Sequence, residues 1–146
     1  GSTTLQPGAV ISPGSSAAAN DGGTGLLLVS GNLTMSQGAT YVALIAGTNA
    51  GTTYDRIAVT GSASLNGATL QANVTYSPAG GDSFSILTAS GTLSGTFNGH
   101  PDGSIVFSGP IGMRIDYLPH AVTLTVCASP AVTAPAAAVV AQTLCL

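Results

Sequence analysis

The sequence predicts an all-β fold of the β-solenoid type, in which short strands joined by turns stack coil upon coil. Three observations predict it: a Gly-led block returns every thirty residues, apolar and polar residues alternate at period two, and the turn residues fall at matching places in each block. GSTTL opens the chain at Gly1, GNLTM follows at Gly31, GSASL at Gly61 and a looser GTLSG at Gly91. Recurrence at a fixed period of roughly 20–50 residues is the sequence form of a solenoid, because one repeat cannot bury its apolar face alone. A β-sandwich with regularly spaced turns is the alternative.

More than the glycine matches between blocks. Thr4-Leu5-Gln6-Pro7-Gly8-Ala9 corresponds to Thr34-Met35-Ser36-Gln37-Gly38-Ala39, and then to Ser64-Leu65-Asn66-Gly67-Ala68 with one residue deleted. Stacking places like residues above like residues. Gly1, Gly31, Gly61 and Gly91 are therefore expected at a corner where φ > 0 or close approach is required. Leu5, Met35 and Leu65 are expected inside as a column.

Within the blocks, Ile57, Val59, Ala63 and Leu65 lie on one side. Leu70, Ala72 and Val74 alternate with polar neighbours, as do Val42, Leu44 and Ala46, and Val122, Leu124 and Val126. Such alternation, rich in Val, Ile, Thr and Tyr, predicts strands with one buried face. Pro-Gly at 7–8 and 13–14, Asn-Gly at 66–67 and Gly-Asp at 81–82 supply the turns.

The recurrence fades after Gly91. From Ser104 three further strands, around residues 105–107, 113–117 and 121–126, read as a closing cap, which a solenoid needs to cover its last open edge. The expected organisation is one solenoid domain over residues 1–126, capped from about 104, and an Ala/Pro/Val-rich tail over 127–146. Residues 131–141 are the one stretch with a helical look. The two cysteines, Cys127 and Cys145, are expected to form a disulfide closing that tail, which with the absence of Lys suggests an extracellular protein.

Only 5% of the residues are charged, Lys and Glu are absent, and the net charge is −3. No basic patch exists to neutralise phosphates, which excludes nucleic acid and an electrostatic dock on anionic lipid. The longest apolar runs, 25–29 and 136–141, fall far short of the ~20 residues of a membrane helix, so no transmembrane segment is expected. Apolar surface that the fold leaves uncovered is expected to be hidden by a neighbour, either another copy or flanking domains of a longer surface protein.

The runs TTLQPGAVISPG, LLVSGNLTMSQGATYVALIAG and TYDRIAVTGSASLNGATLQANVTYSPAGGDSFSILTASGTLSGTFNG carry a family look. Over about residues 3–126 the chain resembles the C-terminal part of bacterial autotransporter-type passenger domains and related large β-helical surface proteins. The shared elements are Tyr54-Asp55 at a strand start, Gly81-Asp82-Ser83-Phe84 before an aromatic strand, and the closing LSGTF at 93–97. The resemblance implies a right-handed parallel β-helix exported to the cell surface or beyond. The chain departs from the family in its tail and cysteine pair, and no amphipathic membrane barrel follows.

Candidate sites are few. Asp55 and Asp82, nearly one repeat apart, are candidate paired carboxylates for glycan cleavage, although capping and turn roles explain both. His100, Asp102 and His120 lack nucleophile or zinc spacing, and Pro101-Asp102-Gly103 reads as a turn. Asn20-Asp21-Gly22-Gly23 reads as a turn and not a calcium loop. The sequons at Asn32 and Asn73 fall within predicted strands. No cofactor, metal or catalytic residue is assigned.

The sequence therefore points to a non-enzymatic, extracellular structural module. It is expected to self-assemble, head to tail into filaments, by solenoid stacking and by exchange of the tail after Cys127. The alternative is an adhesin or glycan-binding module presented to polysaccharide or host surfaces, although Tyr41, Tyr54, Tyr76 and Tyr117 are spread out and Trp is missing, too few aromatics for a sugar platform.

Overall fold

The computed structural model describes residues 2–13, 25–49, 51–109 and 111–127. The described residues are all-β, with no helix, in three sheets. The first sheet holds β1 (Ser2–Leu5), β4 (Asn32–Met35), β7 (Ala63–Ser64) and β10 (Leu93–Ser94). The second holds β2 (Val10–Ile11), β5 (Thr40–Ile45) and β8 (Thr69–Val74). The third holds β3 (Leu26–Val29), β6 (Arg56–Val59) and β9 (Ser83–Ala89), extended past β9 by β11 (Ile105–Ser108), β12 (Ile111–Leu118) and β13 (Ala121–Val126). Up to β10 the chain visits the sheets in strict rotation.

Every pairing among β1–β10 is parallel, and almost every one joins residues thirty apart. Ser2 lies against Asn32, Leu33 against Ala63, Ala63 against Leu93, Val10 against Thr40, Leu27 against Ile57 and Ile57 against Leu87. The sequence period is thus the backbone register. The single deletion in the third block appears where β5 meets β8: Thr40 lies against Thr69 and Ile45 against Val74, an offset one shorter.

One cluster of buried side chains draws on all three sheets, including Leu33 and Met35, Tyr41 and Ile45, and Ile57 and Val59. Met35 and Leu65 are fully buried, and Leu5, paired with Met35, is half-buried at the end of its column. The expected faces of β6, β8 and β13 are the buried ones. The face expected of β5 is inverted: Tyr41, Ala43 and Ile45 are inside, Val42 and Leu44 are half-buried, and Ala46 is exposed. Register decides this, because Tyr41 and Ala43 lie over Leu70 and Ala72. The Tyr41 hydroxyl also finds the Ile86 carbonyl at 2.6 Å, so the larger side chain is buried at no polar cost.

That carbonyl is available because β9 carries a bulge. Val122 lies against Leu87 and Thr123 against Ser85, so Ile86 has no partner on β13. Ile86 and Leu87 are both fully buried, which breaks the alternation of the strand. An extra residue in one strand leaves a backbone group unpaired, and Tyr41 satisfies it.

The three last strands close one end. β11, β12 and β13 pair antiparallel, and β13 pairs antiparallel with β9. The cap also reaches the other two sheets, since Leu93 donates its N–H to the Pro119 carbonyl at 3.1 Å and Val74 donates to the Ser108 hydroxyl at 2.9 Å. Tyr117 fixes the segment between, accepting the Phe97 N–H at 3.0 Å and donating to the His100 carbonyl at 2.6 Å.

The corner glycines form a stack. Gly61 donates its N–H to the Gly31 carbonyl and Gly91 to that of Gly61, each at 2.8 Å. Gly31 has φ +92°, while Gly61 and Gly91 are required by proximity: a Cβ on Gly61 meets the Gly31 carbonyl oxygen at 2.7 Å and the Asn32 side chain. Gly1 lies outside the described residues. G61A is expected to cost about 2–4 kcal/mol, from overpacking and a strained hydrogen bond. G8A, with φ +89° and open space around its Cβ, carries only the backbone term of about 1–2 kcal/mol. Urea denaturation ranks the two, and equal midpoints mean that the corners are not in contact.

Candidate functional site

Asp55, the buried charged side chain, is attached to backbone groups that the strand ladders leave unpaired. Asp55, immediately before β6, is 0% exposed. Its Oδ1 accepts the Gly25 N–H at 2.9 Å and its Oδ2 the Leu44 N–H at 3.0 Å. One carboxylate thereby joins the start of β3 to the body of β5. Burial pushes the Asp55 carboxyl above its ordinary range, and the N–H groups of Leu44 and Gly25 oppose that shift.

Arg56 is satisfied separately. Its Nε donates to the Ser85 carbonyl at 2.8 Å and its Nη2 to the Tyr54 hydroxyl at 3.0 Å, with the guanidinium carbon 5.8 Å from the Tyr54 ring centroid. The Tyr54 hydroxyl in turn accepts the Ser85 N–H at 3.2 Å. A contiguous Tyr-Asp-Arg triplet therefore clamps the round before it and the round after it.

Asp82 works locally. Its Oδ2 accepts the Tyr76 hydroxyl at 2.9 Å and the Ala79 N–H at 3.0 Å. Burial first, and then the bond to Asp82, push the Tyr76 hydroxyl up to about 12. Register puts Ile57 against Leu87, so Asp55 lies in line with Ser85 and not with Asp82. The two carboxylates bind separate partners, and Asp55 is closed to any substrate.

The histidines are likewise apart in their roles. His120 Nδ1 lies 2.5 Å from the Gly91 carbonyl, while the His100 carbonyl accepts from Tyr117. Asp102 accepts the Tyr117 N–H at 2.8 Å from a turn in which Gly103 has φ +83° and Ser104 donates to the Pro101 carbonyl. Among the described residues no group of three or more His, Cys, Asp or Glu side chains is placed to hold a metal ion, and no helix is long and apolar enough to cross a membrane. Cys127 follows β13, its N–H bonded to the Gly112 carbonyl. Cys145, the tail, residues 131–141 and the Asn20–Gly23 loop lie outside the described residues.

The tyrosines do not form an exposed aromatic surface. Tyr41 and Tyr54 are buried, Tyr76 and Tyr117 are half-buried, and all four hydroxyls are hydrogen-bonded. Their aromatic contacts run inward, Tyr54 and Tyr76 each meeting Phe84 edge-on and Tyr117 meeting Phe97.

Among the described residues each sheet has two outermost strands, and those at the cap end are β10, β8 and β11. β1, β2 and β3 are the others, all at the end opposite the cap. Val10 is 65% exposed, Leu26 57% and Leu28 66%. None of the three strands contains a charged residue or a proline, the residues that ordinarily protect such edges. The run GLLLV at 25–29, which lacks alternation, was the visible signal in the sequence.

No protein-family model, curated protein or solved structure matches this chain.

The Asp55 linkage has a definite sign. The carboxyl is raised above 3.8 in the folded chain, so its protonated form favours folding: that contribution is complete below 3.8 and is lost as pH rises through the raised value. The stability of the wild type relative to D55N is expected to fall across that window and then to level. D55A at neutral pH is expected to lose roughly 1–3 kcal/mol for each N–H left unpaired. Urea midpoints measured against pH check both, and a difference that does not change with pH overturns the assignment.

Proposed function

We propose that the chain is a non-enzymatic structural module of an extracellular bacterial surface protein, folded as a right-handed β-solenoid whose coils stack on further β structure. The observation that carries this reading is the contrast between the two ends, one sealed to all three sheets by β11–β13 and the other presenting three uncharged parallel edges. A module built to end a stack at one side and continue it at the other has this form.

The solenoid reading is supported by the rotation of the chain through three sheets that share one core, and by pairings nearly all thirty residues apart. A sandwich of hairpins pairs sequence neighbours instead. The surface location and the right-handed sense rest on the resemblance of residues 3–126 to passenger domains. The structural role is supported by the commitment of Asp55, Asp82, Arg56 and the four tyrosines to backbone and to one another. The glycan-binding alternative finds little aromatic surface here, since the four tyrosines are buried or half-buried. Filament growth by tail exchange turns on residues 128–146, outside the described residues.

Tandem duplication of residues 31–60, inserted after Thr60, tests the architecture. In a solenoid each coil contacts only its neighbours, so the longer chain folds, keeps its β-type circular dichroism and has a urea midpoint at least equal to that of the parent. Loss of cooperative unfolding overturns the solenoid. Saturable binding of the intact chain to a polysaccharide panel overturns the purely structural role in favour of an adhesin.

A further inference from the structure

Three residue pairs share one latent chemistry and differ in how the fold holds them. Among the described residues Asn-Gly occurs at 66–67 and at 98–99, and Asp-Gly at 102–103. In each, the glycine nitrogen can close a five-membered ring on the side-chain carbonyl carbon of the residue before it, since glycine has no Cβ to obstruct the approach.

Two of the pairs are locked. Asn66 Nδ2 donates to the Met35 carbonyl at 2.9 Å, its Oδ1 accepts from the Ser64 hydroxyl at 3.3 Å, and the Gly67 N–H donates to the Thr96 carbonyl at 3.0 Å. Asp102 Oδ1 accepts the Tyr117 N–H at 2.8 Å, and the Gly103 N–H donates to the Ile115 carbonyl at 2.7 Å. Asn98-Gly99 is held at neither reacting group. Both residues are exposed, a Cβ on Gly99 would meet only open space, and among the described residues neither the Asn98 carboxamide nor the Gly99 N–H has a hydrogen-bond partner. Asn66 is exposed as well, so access to water does not separate the two Asn-Gly pairs; the hydrogen bonds do.

We propose that Asn98 is a site of spontaneous covalent modification, deamidation by water through a cyclic imide formed with Gly99. The Gly99 nitrogen bonds to Asn98 Cγ and gives up its proton, the Cγ–Nδ2 bond breaks, and Nδ2 leaves as ammonia. Water then opens the ring. Attack at Cγ breaks its new bond to the Gly99 nitrogen and leaves aspartate at 98; attack at the backbone carbonyl carbon of residue 98 breaks the original peptide bond and leaves isoaspartate, with the chain running through the side chain. Water is the only co-reactant and nothing is oxidised or reduced.

The position gives the reaction a structural consequence. Phe97 and His100 flank the pair, and the His100 N–H donates to the Phe97 carbonyl at 3.1 Å. The Tyr117 hydroxyl of β12 joins the same two residues, accepting the Phe97 N–H and donating to the His100 carbonyl. Isoaspartate inserts an extra carbon into the backbone between them, so the turn no longer presents both groups to Tyr117. The reaction therefore loosens the clamp by which the cap holds the segment after β10.

Peptide mapping by mass spectrometry, on the full chain kept warm in mildly alkaline buffer, tests this alongside the urea-unfolded chain and an N98S variant. In the folded chain aspartate and isoaspartate are expected at 98 at least about tenfold faster than at 66, because a hydrogen-bonded segment reacts only when it opens, and tenfold corresponds to about 1.4 kcal/mol of opening. In urea the two Asn-Gly pairs react at closely similar rates. The urea midpoint of the aged chain falls below that of the fresh one, whereas N98S, with no carboxamide to lose, keeps its midpoint through the same incubation. Equal rates at 66 and 98 in the folded chain overturn the proposal, as does a folded chain unreacted at 98 while the unfolded chain reacts there. A converted chain with an unmoved midpoint overturns the link to the Tyr117 clamp.

Discussion

The whole structure depends on parallel backbone pairing between segments thirty residues apart. Once that register is set, the inward-facing side chains are stacked apolar upon apolar, about 4.8 Å above or below. Leu5 meets Met35, Leu27 meets Ile57 and Ile57 meets Leu87. The same register explains the composition. A charged residue repeated every thirty residues faces its own copy across the parallel pairing, and like charges directly opposite in a sheet are destabilising. Ser, Thr and Asn tolerate such stacking because a hydroxyl or amide both donates and accepts, as Ser64 and Ser94 do at 3.2 Å. Asp55 and Arg56 occur in a single round: Arg56 lies against Leu26, and neither residues 26–29 nor residues 86–89 carry a charge.

Parallel stacking leaves backbone groups unpaired wherever the chain turns between sheets, and side chains take up the difference. Asn32 Oδ1 accepts the Ser62 N–H at 2.8 Å, and one round later the Ser62 hydroxyl accepts the Thr92 N–H at 3.1 Å. Asn66, in the left-handed region at φ 50°, sends its Nδ2 to the Met35 carbonyl at 2.9 Å. Asp55 is the extreme member of this group, a buried carboxylate held by two N–H donors. A buried acceptor left without donors is costly, and so is a donor left without an acceptor. These residues resemble site residues in sequence, being isolated polar groups at repeating positions, but their chemistry is spent inside the chain.

Much of the fold was legible because the repeat is itself the register. Gly31, Gly61 and Gly91 stand where the sequence period places a corner, and the deletion before Ala68 reappears as the shorter offset between β5 and β8. Two features were less accessible. The buried face of β5 was misread because both faces of Thr40–Ile45 carry apolar residues, so alternation alone gives no sign; the column beneath, Leu70 and Ala72, decides it. The pairing of Ile86 and Leu87 on one side of β9 reflects a bulge formed against β13, nearly forty residues later in the chain, and no local pattern encodes that contact. At the candidate sites the residue types were visible but their roles were not. Asp55 and Asp82 are nearly one repeat apart, yet the distance that matters is to Gly25 and Leu44 for one and to Tyr76 and Ala79 for the other.

The two ends of the stack answer the same physical problem differently. A parallel strand at the end of a column has one unpaired side and one uncovered apolar layer, and a free edge of this kind templates further pairing. At the far end the chain solves this by reversing direction: β13 runs antiparallel to β9, and an antiparallel strand needs only a short connection to β12 and β11, which carry the closure outward. Hydrogen bonds to Leu93 and Val74 then extend the closure to sheets that the hairpins do not join. At the near end no residue of β1, β2 or β3 interrupts pairing, and the largest exposed side chains are aliphatic. Among the described residues, then, one end is closed by antiparallel strands of the chain itself, while β1, β2 and β3 carry neither charge nor proline.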